Sequence, residues 1–212
     1  MQAIRWTAVL VLLLSAVALA DERARKLADE VMAASGIEAW EQVKRIRFTF
    51  NVEADGKIAM SAKHDWDRVA GTDTVMWNGK TVTVDLANPG DDADAKAAFA
   101  RWTNDAYWLL APLKLADGGV KLAHLGTRQH DGREYEILHL SFENVGLTPG
   151  DQYELFVNPQ TKLIEWWIYM PTPEKRTMFS WEAYQTFEGV TLSTEHRTGN
   201  RRIFFTDISI EK

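Results

Sequence analysis

The sequence predicts a mainly β protein with helices (α+β), its strands forming a curved antiparallel sheet or an incomplete β-barrel covered by helical segments. Apolar and polar residues alternate with period two over stretch after stretch, the pattern of half-buried strands. Dipeptides such as Asp55-Gly56, Asn78-Gly79 and Asp131-Gly132 separate these stretches, where tight hairpins need them. Helical spacing takes over in two regions, one ending at Gly36 and one beginning at Asp91. About ten meandering strands in one domain would leave long edges and apolar faces open unless the sheet curls or closes.

In order along the chain, residues 1–20 carry Arg5 as their only charge, then an apolar run, then Ala18-Leu19-Ala20 before Asp21. This is the pattern of a cleaved secretory signal peptide. Its apolar run, Ala8 to Ala20, is shorter than the ~20 residues a spanning helix requires. The expected mature chain is 21–212, a single domain, periplasmic or secreted after cleavage near Ala20. Leu27, Val31 and Met32 then recur at helical spacing among charged residues, and Gly36 supplies a stop. A short turn, Ile37 to Val43, carries Trp40. The first strand places Ile46, Phe48, Phe50 and Val52 on one face, and the return strand after Asp55-Gly56 places Ile58, Met60, Ala62, His64 and Trp66 together. A second hairpin turns at Asn78-Gly79 and ends at Asn88-Pro89-Gly90.

From Asp91, the residues Ala95, Ala98, Phe99, Trp102 and Ala106 recur three and four apart, which predicts a helix. Tyr107 to Leu113 is apolar on all sides, so this segment is expected to be buried beneath something, with Pro112 ending it. Strands resume with Val120 to Thr127 and Tyr135 to Phe142. Then follow Tyr153 to Val157, Leu163 to Met170, Thr177 to Tyr184 as one strand, Thr191 to His196, and Ile203 to Ile210.

Composition excludes several function classes. With 46% apolar and 25% charged residues among 212, Gly 13 and Pro 6, the chain is neither disordered nor fibrous. A net charge of -6 without a Lys/Arg cluster argues against nucleic acid. Cys 0 excludes disulfides, thiolate metal sites, cysteine nucleophiles and lipid attachment to cysteine. No Gly-x-Ser-x-Gly elbow occurs, and Gly79-Lys80-Thr81 is not a phosphate loop because position 74 is Thr.

His64, His124, His130, His139 and His196 are scattered without metal-ligand spacing, and His64-Asp65-Trp66-Asp67 is expected at a surface hairpin end. Asp91, Asp92 and Asp94 suit a helix N-terminus, calcium being the lesser alternative. Arg197, Arg201 and Arg202 are read as solvated turn charge. The expectation is no catalytic residue, no metal and no cofactor.

What remains is aromatic: Trp 9, Phe 9 and Tyr 5. Such rings either line an apolar cavity or fill the core. The candidate ligand-binding residues are Phe48, Phe50, Met60, Trp66, Trp77, Trp102, Trp108, Leu110, Leu140, Trp166, Ile168, Phe179, Trp181 and Phe204, with Trp167 a further tryptophan of the same kind.

The order of signals resembles the bacterial lipoprotein-localisation carriers LolA and LolB: secretory signal, helix, two hairpins, internal helix, then more hairpins. Local matches are Asn78-Gly79-Lys80-Thr81-Val82 running to Asn88-Pro89, and the stretch from Tyr153-Glu154-Leu155-Phe156-Val157-Asn158-Pro159 to Ile164. The latter also resembles a less studied group of secreted bacterial proteins of the same fold, as does Pro112-Leu113-Lys114-Leu115 followed by Gly119-Val120-Lys121-Leu122. The resemblance implies an incomplete barrel lidded by helices and a non-enzymatic role in outer membrane lipoprotein sorting or transport, with lipid, an acylated protein or another apolar molecule as ligand.

Absence of Cys is similar to soluble LolA rather than lipid-anchored LolB. LolA carries a basic residue before proline on an early strand, which helps hold its lid closed, and the corresponding region here has no Arg-Pro or Lys-Pro pair. The second function class is a non-catalytic envelope sensor or protein-interaction module on the same fold, and a hydrolase is third. A monomer is expected, with an envelope protein partner and peripheral membrane contact admitted. The segment Trp102 to Leu113 is expected to be a mobile cover over the cavity.

Overall fold

The computed structural model describes residues 22–143 and 146–212. The expected signal peptide therefore lies outside the described residues. Helix α1 covers residues 22–34 and buries Ala24, Leu27, Ala28 and Val31, spaced three and four apart, as the apolar stripe requires. Gly36 turns the chain into the short helix α2 (Ile37–Glu41), and Trp40 is its buried anchor. Two hairpins follow: β1 (Arg45–Ala54) with β2 (Lys57–Asp67), and β3 (Thr72–Trp77) with β4 (Lys80–Asp85). Helix α3 (Ala93–Leu110) starts at Asp92, whose side chain accepts from the backbone N–H groups of Asp94 and Ala95. A 3-10 turn, Ala111–Leu113, ends it. The remaining strands are β5 (Val120–His130), β6 (Arg133–Phe142), β7 (Gln152–Val157), β8 (Ile164–Thr172), β9 (Lys175–Ser180), β10 (Glu182–Phe187), β11 (Val190–Thr198) and β12 (Arg201–Glu211).

The strands divide into two antiparallel sheets and do not close into a barrel. A seven-stranded sheet runs β10-β11-β12-β1-β2-β3-β4, and a five-stranded sheet runs β5-β6-β7-β8-β9. One core unites their inner faces with α1, Trp40 of α2 and the end of α3. Aspartate and asparagine adopt left-handed backbone before glycine at Asp55-Gly56, Asn78-Gly79 and Asp131-Gly132, so these turns match the sequence expectation.

Two expectations fail at one place. Thr177 to Tyr184 is not one strand: it breaks at Trp181, where the chain leaves the five-stranded sheet for the seven-stranded one. Strand β8 also carries an extra residue, because Val157 pairs with Ile164 while Phe156 pairs with Trp166. Glu165 is thus a bulge, and its carbonyl accepts the backbone N–H of Trp181 at 2.8 Å. The bulge reverses the facing of all that follows. Ile164 belongs to the main core, but Trp166 and Ile168 point to the opposite face, beside Tyr135, Ile137 and Phe156, while Trp167 and Tyr169 point inward.

At the elbow between α1 and α2, Gly36 has φ 82 and lies against the β10–β11 turn. A Cβ there would sit 2.1 Å from the carbonyl oxygen of Gly189. Gly36→Ala is expected to cost about 2 to 3 kcal/mol in urea denaturation, through the left-handed backbone and the forced displacement of a neighbouring main chain. An unchanged midpoint would refute this account of the elbow.

Candidate functional site

Between the second half of α3 and the inner face of the five-stranded sheet lies a cavity of about 570 Å³. Helix α3 contributes Phe99, Trp102, Thr103, Asn104, Ala106, Tyr107, Trp108 and Leu110. The helix presents so many of these because Trp102 to Leu110 is apolar around most of its circumference: Leu109 and Ala106 sink into the core, and the larger rings flank them. Strands β6, β7 and β8 supply Phe142, Tyr153, Trp167 and Tyr169, and Trp66 reaches in from β2.

The rings touch one another in two groups, Trp66, Phe99 and Trp102 in one and the remaining rings in the other. Trp108 lies 4.5 Å from Trp167 and 4.9 Å from Phe179, centroid to centroid. Tyr153 contacts Trp167 at 4.8 Å and Tyr169 at 5.4 Å, and Trp102 meets Trp66 edge-on at 5.2 Å. Burial raises the pKa of Tyr107 and Tyr153, and burial together with the Asp151 carboxylate pushes Tyr169 up to about 12. All three stay neutral across the physiological range.

Of the fourteen candidate binding residues, Trp66, Trp102, Trp108 and Leu110 line this cavity. Phe48, Phe50, Leu140, Phe179 and Trp181 are buried in the main core instead, and Met60 packs partly exposed at its margin. Trp77 belongs to a separate small cluster with Ala62, Val75, Val84 and Ala98. Trp166 and Ile168 face away because of the bulge. On β12 it is Phe205 that packs with Phe48 and Phe50, while Phe204 faces outward under the Arg202 guanidinium, 4.0 Å from its ring centroid. The cavity also uses Phe99, Tyr107, Phe142, Tyr153 and Tyr169, which the candidate set lacked. Alternation along β7 and the rings of β8 were the available signals for the last two.

His64 corrects the surface-hairpin expectation. Its side chain is 0% exposed and stacks on Phe48 at 4.6 Å. Nδ1 lies 2.7 Å from Asp73 Oδ2 on β3, and Nε2 lies 3.1 Å from Asp105 Oδ2 on α3. Asp73 is 0% and Asp105 1% exposed. Burial alone would lower the His64 pKa, but the bonds to Asp105 and Asp73 outweigh it and raise it. As an imidazolium, His64 donates to both carboxylates and ties α3 to the seven-stranded sheet. The ring stands between the acids, so the three do not converge as ligands, and no metal-holding cluster occurs among the described residues.

Several other charged groups singled out in the sequence are engaged. Besides the Asp92 cap, Asp91 pairs with Lys96 and Asp94 with Lys80. Arg197 and Arg202 both bind Glu195.

Two antiparallel sheets packed with helices make a fold that this chain shares with solved structures of the LolA-like type. Among solved structures, a domain from Vibrio parahaemolyticus whose name assigns it to outer membrane lipoprotein sorting matches with a TM-score of 0.53. It is 10% identical, over 91% of this chain and 94% of that one. A DUF1329 family protein from Desulfovibrio piger matches with a TM-score of 0.52 at 12% identity, over 89% of this chain and 93% of that one. A LolA superfamily protein from Nitrosomonas europaea aligns over 87% of this chain and 94% of its own, at 10% identity and a TM-score of 0.47. At such identities the likeness is one of fold. No protein-family model matches the sequence, and no curated protein matches it either.

Proposed function

We propose that this chain is an extracytoplasmic binding protein for an apolar ligand, a lipid or an acyl chain, which enters the cavity beneath α3. The observation that carries the reading is the cavity itself: about 570 Å³ walled by nine aromatic side chains. A carrier of this kind needs broad apolar contact and little directional bonding. Each methylene withdrawn from water contributes about 0.8 kcal/mol. No chemistry is required of the wall, so the reading is non-enzymatic. Among the described residues no helix is long and apolar enough to cross a membrane. The expected signal peptide supports export to the periplasm or beyond.

In this reading the end of α3 is the cover that admits the ligand. Trp108 is half-buried, lines the cavity and bridges Trp167 and Phe179 of one sheet to His196 of the other, 5.4 Å away. Trp108→Ala is expected to weaken a fluorescent fatty-acid probe at least ten-fold. It should cost less stability than the ~3 to 5 kcal/mol of truncating a fully buried tryptophan. Probe titration and thermal melting together make the test. A parent protein that binds no probe, and from which solvent extraction recovers no lipid, would remove the reading.

A further inference from the structure

The charged side chains in the cavity wall are Lys114, Asp117 and Asp151. Lys114 and Asp117 pair with each other. Asp151 is different: it is only 7% exposed, and no lysine, arginine or histidine lies within ion-pair distance of it among the described residues. Its Oδ2 accepts from the hydroxyls of Thr148 at 2.6 Å and Tyr169 at 3.0 Å. Both partners are neutral hydroxyl donors, so neither supplies a countercharge. Buried charges in proteins are ordinarily paired, because an uncompensated one is costly.

The surroundings of Asp151 show what supplies the missing charge. Tyr169, which donates to it, packs on Tyr153 at 5.4 Å, and Tyr153 in turn contacts Trp167, Tyr107 and Phe142 at 4.8, 5.7 and 5.8 Å. All five rings line the cavity. Ring faces carry negative potential and attract organic cations, so a carboxylate beside clustered rings is a receptor for an ammonium rather than for a carboxylate or phosphate. A small metal ion would need several oxygen ligands, and these rings offer none beyond hydroxyls. The net charge of -6 attracts the same sign of ligand over longer range.

We infer that the cavity takes a cationic amphiphile, an apolar chain ending in an ammonium or quaternary ammonium group that sits against Asp151 and the Tyr153–Tyr169 rings. This rests on the cavity being an apolar-ligand site, and it names the head group of that ligand. The chain then extends toward Trp66, Phe99 and Trp102, where the wall has no charged side chain among the rings.

The test is a calorimetric comparison of decyltrimethylammonium, decanol and decanoate, the two ions below their micelle concentrations and decanol below its solubility limit. The ammonium is expected to bind at least ten-fold tighter than decanol, with decanoate weakest. Asp151→Asn is expected to abolish the preference, so that within this variant the ammonium binds no tighter than decanol. The parent's own ranking of the three compounds decides the matter even if the asparagine variant does not fold. Equal affinities, or preference for decanoate, overturn the cationic head group and leave the apolar-ligand reading standing. Failure of all three to bind overturns that reading and the inference with it.

Discussion

His64→Leu is expected to cost about 3 to 5 kcal/mol of folding stability, because it strands two carboxylates that the fold keeps out of water. Asp73 and Asp105 are 0% and 1% exposed, and the imidazole between them is their shared partner. Adding Asp73→Asn and Asp105→Asn to the leucine variant should recover part of the loss, since neutral amides are cheaper to bury than unpaired acids. The three substitutions are expected to be strongly non-additive in urea denaturation. The same array predicts a limb in the stability profile. The folded-state pKa of His64 is raised, so its stabilisation is fully present below the ordinary histidine value of 6.5 and is lost as pH rises through the raised one. Stability measured from pH 6.5 to pH 9 should therefore fall in the parent and less so in His64→Leu. A leucine variant as stable as the parent at pH 6 would show that the array contributes nothing.

The second large effect has the opposite sign. His196 is buried among Trp108, Trp181 and Phe205, its Nδ1 donating to the Ser180 carbonyl at 3.3 Å. Burial pushes its pKa down to about 3, against 6.5 in an unfolded chain. Between those values the unfolded state binds the proton and the folded state does not, so stability falls with pH, by about 2 kcal/mol at pH 5 and roughly 4 by pH 3. The pH 5 to 6.5 window isolates it. Glu136, Glu154 and Glu195 have lowered pKa values, because their cationic partners outweigh the effect of burial, and they lose their contributions only at lower pH. His196→Gln keeps a donor for the Ser180 carbonyl and removes the titration, so its profile over this window should be nearly flat. Equal parent stability at pH 6.5 and pH 5 would contradict the neutral, buried assignment. Together the two histidines place the stability maximum near pH 6.5.

The order of elements was legible in the sequence because its signals are short-range. Asp55-Gly56 and Asn78-Gly79 form hairpin turns wherever two strands need reversing, Asp92 caps the helix that its own neighbours form, and Ala24 to Val31 make a stripe by periodicity alone. A Glu188-Gly189 turn is absent from that reading because glutamate rarely takes the left-handed backbone it adopts there. The site was only partly legible. Trp66, Trp102, Trp108 and Leu110 belong to the cavity, but one bulge at Glu165 decided that Trp167 and Tyr169 face it and Trp166 and Ile168 do not. A single added residue in a ladder leaves no periodic trace, yet it turns every later side chain over.

The sequence by itself determined the order of most strands and helices, and that an aromatic apolar surface had to be enclosed. The tertiary structure alone decided that the strands part into two sheets at Trp181, and that residues 64, 73 and 105 meet as a buried charge array. It also decided that Asp151 is walled in by rings without a countercharge. The division follows from physics: backbone propensity acts between near neighbours, whereas burial and charge pairing depend on which distant faces come together.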